Sequence, residues 1–127
     1  MATLLLIEDD DVLRRATAAA LRQSGHRVET LPDGRGTLER CRKRRFDVVI
    51  IDLIMPEQEG LETIRGLRRA GISARIVALC DDGRHANGLC YLQMARLFGA
   101  DATFAKPLSP PRLESAVNGL LRGHKQR

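Results

Sequence analysis

The chain alternates short apolar runs with segments whose apolar residues fall three and four apart, and it does so five times. The runs are Thr3 to Ile7, His26 to Leu31, Val48 to Ile51, Arg75 to Leu79 and Ala102 to Ala105. The intervening segments carry Leu13, Ala16, Thr17, Ala20 and Leu21, then an Arg-rich stretch from about 36 to 45. Leu61, Ile64 and Leu67 follow, then Tyr91, Met94, Ala95 and Phe98, and last Leu113, Ala116, Val117, Leu120 and Leu121. The first periodicity is that of strands buried on both faces, and the second that of amphipathic helices. Gly25, Gly71 and Gly99 stand where helices would end. Alternation of this kind predicts an α/β fold, a doubly wound parallel sheet covered by helices on both faces. Right-handed crossovers then bring all the strand C-termini to one rim.

A chain of 127 residues with 43% apolar content suits one domain, residues 1–127, with its own core. The formal charge is +5, carried almost wholly by arginine. The densest basic run, Arg40 to Arg45, falls at a predicted helix C-terminus, where cations are stabilised. No aromatic interleaves it and no recognition motif accompanies it, so no direct nucleic-acid partner is expected. Cys41, Cys80 and Cys90 form neither a CxxC pair nor an even disulfide framework, which fits a reduced, cytoplasmic protein. No apolar stretch is long enough to span a bilayer, and no membrane association is expected.

Open α/β sheets place ligand sites outside the carboxyl ends of their strands. Here the first strand ends in Glu8 and Asp9, the third in Asp52, the fourth in Cys80 and Asp81, and the fifth in Lys106. Converging hard carboxylates suit Mg²⁺, which takes oxygen ligands. A carboxylate is also a nucleophile toward phosphorus once a metal and a cation offset its charge. Each group alone has a plainer explanation, as a helix cap or a surface lysine. Their arrival on one rim argues against coincidence.

These residues resemble the receiver domain of bacterial response regulators over about residues 3 to 122. The resemblance rests on Leu5-Leu6-Ile7-Glu8-Asp9-Asp10, on Asp52-Leu53-Ile54-Met55-Pro56 with Gly60-Leu61-Glu62, and on Gly99 to Pro107. It implies a flavodoxin-like receiver fold, five parallel strands in the order 2-1-3-4-5 with five helices. Asp52 would accept a phosphoryl group from the phosphohistidine of a histidine kinase or histidine phosphotransfer protein. Glu8, Asp9, Asp52 and the Ile54 backbone carbonyl would hold Mg²⁺, with Glu8 acting through water. Lys106 would contact the phosphoryl group, and the Lys106–Pro107 bond would be cis. The face of helix four, strand five and helix five would meet a downstream partner, an output domain or a second copy in a homodimer. Only self-phosphorylation and self-dephosphorylation would occur, with no external substrate. Only Arg122 to Arg127 follow the last helix, which suits a stand-alone receiver or the N-terminal part of a longer protein.

The sequence departs from the family pattern at the switch. Cys80 stands where a threonine or serine is usual, and a thiol is the weaker donor. Asp81 and Asp82 add negative charge beside the acceptor. The usual aromatic position falls at Thr103, and alternation turns the adjacent Phe104 to the other face. These departures support an alternative, a degenerate receiver that binds partners without phosphorylation. A Cys80–Cys90 redox pair is the less favoured reading of the thiols, against a small buried residue at a strand end. An aspartate-nucleophile phosphatase would need a second acid two residues beyond Asp52, where Ile54 stands. A flavodoxin would need a phosphate-binding loop where Glu8 to Asp11 stand.

Overall fold

The computed structural model describes residues 2–54, 60–81 and 91–123. Pro56, Asp82 and Cys90, singled out above, lie outside these residues. Elements follow in the order β1 (Thr3–Ile7), α1 (Asp11–Gln23), β2 (Arg27–Leu31), α2 (Thr37–Lys43), β3 (Val48–Asp52), α3 (Gly60–Arg69), β4 (Arg75–Cys80), α4 (Tyr91–Phe98), β5 (Ala102–Ala105) and α5 (Pro110–Leu121). The strands form one parallel sheet in the order β2-β1-β3-β4-β5. The doubly wound sheet and its expected strand order are therefore observed.

Two apolar layers hold it together. Leu5, Ile7, Val49, Ile51, Ile76 and Ala78 meet α2, α3 and α4 through Cys41, Ile64, Leu67 and Ala95. Leu4, Leu6, Val48, Ile50, Val77 and Leu79 meet α1 and α5 through Ala18, Leu21, Leu113 and Val117. Every residue of β3 is buried. That is why its sequence shows an unbroken apolar run rather than alternation.

Helix ends follow local chemistry. The Asp10 carboxylate caps α1 by accepting the Leu13 N–H at 2.9 Å, and Ser109 caps α5 through Arg112. Gly60 opens α3 against the end of β3. A Cβ there would lie 2.7 Å from the Asp52 carbonyl oxygen and from the Leu53 Cα. Only glycine lets the helix start this close to the Asp52 backbone.

Two boundaries and the buried stripe of α1 differ from the sequence reading. β2 begins at Arg27, because the His26 N–H still bonds the Leu21 carbonyl of α1. α2 ends at Lys43, since Arg44 is already extended and its side chain pairs with Glu29 of β2. In α1 the fully buried residues are Ala18 and Leu21, with Arg14 half-buried on the same side, while Leu13 and Ala16 are exposed. The stripe is rotated because Arg14 has polar partners beneath it, which counting apolar residues overlooks.

Candidate functional site

The strand C-termini converge as expected. Asp52 is the last residue of β3 and shares the sheet face of Val48 and Ile50. Glu8 follows β1 directly, and its N–H bonds the Leu31 carbonyl of β2 at 3.1 Å. Lys106 follows β5, and its N–H bonds the Cys80 carbonyl at 2.7 Å, closing the β4 and β5 ends together. The Lys106–Pro107 bond is cis.

Lys106 Nζ lies 3.2 Å from Glu8 Oε1 and 3.2 Å from Asp52 Oδ2. One ammonium thus bridges two nearly buried carboxylates, whose side chains are 5% and 8% exposed. Their other oxygens face backbone donors: Glu8 Oε2 accepts the Asp10 N–H and Asp52 Oδ1 accepts the Ile54 N–H, each at 3.2 Å. Arg14 secures the turn after β1, donating to the Glu8 carbonyl at 2.8 Å and pairing with Asp11.

Burial governs the charges. It pushes the Glu8 carboxyl up to about 7, helped by the Asp52 charge and opposed by the Asp10 N–H and Lys106. Burial also raises Asp52 above the usual carboxylate range, against the pull of Lys106. Lys106 loses solvation too, but attraction to Asp52 and Glu8 outweighs that, and its pKa is raised. Two desolvated acids and one cation leave the site short of positive charge.

Oxygens of Glu8, Asp9 and Asp52 come within 4.8 Å of one another. Three carboxylates at that separation, one of them exposed, form the hard-oxygen donor set that Mg²⁺ prefers. The residues therefore fit the cation that the sequence pattern implies.

The departures are placed as well. Cys80 is buried at the end of β4, in the layer facing α3 and α4. Thr103 pairs with Ala78 on β4, and Phe104 packs into the opposite layer with Leu108. The Asp81 carboxylate is 86% exposed, 4.0 Å from Lys106 Nζ. The sequence reading missed Arg14, although its spacing to Ala18 and Leu21 is as helical as that of the apolar stripe chosen. It also missed Arg68, which lies at the far end of the sheet. That guanidinium donates to the carbonyls of Gly99, Ile72 and Ala74 and pairs with Asp101, at 2.8–3.0 Å.

The profile of the response regulator receiver domain matches residues 4–118. Among curated proteins, the chain is 33% identical to the transcriptional regulatory protein AfsQ1 of Streptomyces coelicolor, over 96% of this chain and 52% of that protein. It is 35% identical to the two-component response regulator PhoP of Pseudomonas aeruginosa, over 94% of this chain and 51% of that protein. The chain therefore spans about half the length of these curated relatives. Among solved structures, the chemotaxis protein CheY4 of Vibrio cholerae superposes with a TM-score of 0.81 at 29% identity, covering 93% of this chain and 97% of that one. The receiver domain of Francisella response regulator 1452 gives a TM-score of 0.86 at 23% identity, over 97% and 98% of the two chains, a likeness of fold. Among the described residues, no helix is long and apolar enough to cross a membrane.

Proposed function

The chain belongs to the response regulator receiver domain family, and from that premise we propose that Asp52 is the phosphoacceptor of a two-component signalling protein. An Asp52 carboxylate oxygen attacks the phosphorus of a phosphohistidine on a histidine kinase or phosphotransfer protein. A P–O bond forms, the P–N bond breaks, and the imidazole leaves with the electron pair. One observation carries this reading: Lys106 Nζ sits 3.2 Å from Asp52 and from Glu8. It is placed to exchange a carboxylate partner for a phosphoryl oxygen without leaving the site.

Glu8, Asp9, Asp52 and the Ile54 carbonyl would hold Mg²⁺. The Ile54 N–H bond to Asp52 Oδ1 keeps that backbone beside the acceptor. When bound, the cation supplies the positive charge that the buried carboxylates lack, and it offsets the charge of the phosphoryl oxygens. Arg14 and the Asp10 N–H hold Glu8 in place. Cys80 and Thr103 occupy the switch positions and relay the change through a thiol and a short hydroxyl. The face of α4, β5 and α5 carries the signal to an output domain, a partner or a second copy. The domain is a single unit, works in the cytoplasm, and turns over no external substrate.

The test is incubation with acetyl phosphate and Mg²⁺, read by intact mass and peptide mapping. One added phosphoryl group on Asp52, absent in Asp52→Asn, is expected. The exposed Asp81 carboxylate near Lys106 favours the second reading, a module that binds partners without phosphorylation. An unmodified Asp52 under forcing donor concentrations would establish that reading instead.

A further inference from the structure

A cleft of about 540 Å³ opens between α1 and α5, beside the carboxylate cluster but lined by neither Asp52 nor Asp9. Its apolar walls are Leu6 and Leu79 of the sheet, Leu13 and Thr17 of α1, and Leu108 and Leu113 around the start of α5. Leu6, Leu79 and Leu113 are core residues, so the floor is preformed by the fold. Leu13 turns apolar surface to water at its edge, 40% exposed. The size is that of a small-molecule pocket, and an apolar body with a few polar groups at one end is the usual composition of one.

The polar end is acidic. Among the described residues, Glu8, Asp10 and Asp81 face one cation, Lys106. Lys106 already bridges Glu8 and Asp52, and Asp10 is occupied in capping α1. Asp81 lies 4.0 Å from Lys106 Nζ, a looser pair than those with Glu8 and Asp52, and its carboxylate is 86% exposed at the mouth. We infer that this cleft is a binding site for a small amphiphilic cation, an aryl- or alkylamine whose apolar body fills the space between α1 and α5 and whose ammonium pairs with Asp81. A carboxylate ligand would meet three acids for one lysine among the described residues, and a neutral apolar ligand would forgo the pair. The cleft shares Glu8 and Lys106 with the proposed phosphoacceptor site, but Asp81, the residue that pairs with the ligand, belongs to neither the acceptor nor the metal group. The inference also accounts for an acid that phosphoryl chemistry does not need.

The experiment is a titration of the isotope-labelled protein, without Mg²⁺ or phosphodonor, with 4-phenylbutylamine, 4-phenylbutanol and 4-phenylbutyrate. Saturable shifts at the methyl groups of Leu6, Leu79 and Leu113 are expected. The amine should bind about two- to fivefold more tightly than the alcohol, the worth of one exposed ion pair, and the carboxylate most weakly. Asp81→Asn should reduce the amine to the affinity of the alcohol. Thr17→Phe, which fills the cleft from α1, should abolish the shifts. The inference is overturned by the absence of saturable shifts at millimolar amine, by equal affinity for amine and carboxylate, or by an amine preference that survives in Asp81→Asn. Asp81 is exposed, so that variant reports on binding even where Thr17→Phe disturbs packing.

Discussion

At the scale of single residues, the site is built against its own stability. Glu8 and Asp52 lose solvation at the rim, and one lysine is shared between them. For Glu8 the sign is definite. Burial, the largest cause, raises its pKa from 4.5 to about 7. Between those values the folded protein binds more protons than the unfolded chain, so stability falls as pH rises through that window. The cost at neutral pH is of order 3 kcal/mol at most. Urea unfolding of the metal-free protein should show that decline between about pH 5 and 7, and Glu8→Gln should flatten it. A wild-type stability that stays constant across the window would contradict the burial argument. Mg²⁺ should recover the loss more fully above pH 7 than below 5, since protons compete for the same oxygens.

Elements show where the backbone, rather than a side chain, is constrained. α3 contains two glycines that look alike in the sequence. A Cβ at Gly60 would press on the Asp52 carbonyl and Leu53 Cα, whereas one at Gly66 would meet nothing within 4 Å. Gly60→Ala should therefore cost about 1–3 kcal/mol by overpacking and shift the amide resonances of Asp52 and Leu53. Gly66→Ala should stabilise by about 0.5–1 kcal/mol through helix propensity. Chemical denaturation of both variants decides the matter, and equal effects would contradict the close approach at Gly60. The same geometry explains why a helix start so near Asp52 carries no larger residue.

Over the whole molecule, β1, β3 and β4 are interior strands, while β2 and β5 form the edges. Both edges depend on side-chain ties. Glu29 of β2 pairs with Arg40 and Arg44, and Asp101, just before β5, pairs with Arg68 and accepts the Ile76 N–H. Native-state hydrogen exchange should protect the β3 amides to the level of global unfolding. Edge amides should exchange at least about tenfold faster, through local opening. Uniform protection across the sheet would show instead that the edges open only with the core. Acids gather at the C-terminal rim, and the Arg68 hub ties the opposite end.

Periodic and local features were legible in the chain before folding. Alternation of runs and stripes sets the strand and helix order, and Asp10 and Gly25 mark the ends of α1 because capping is a short-range interaction. The identities of Glu8, Asp9, Asp52 and Lys106 were legible because each sits at the end of an apolar run, where an α/β sheet must place it. Contacts across the fold were left to the tertiary structure. Arg14 on the Glu8 carbonyl, Arg68 on three carbonyls, Gly60 against Asp52 and the cleft walled by Leu13 and Leu113 each join residues whose partners are set by packing. A charged side chain in a helical stripe counts as exposed until a backbone acceptor is found beneath it. The upward shift of Glu8 depends on desolvation, which only the closed arrangement of neighbouring elements creates.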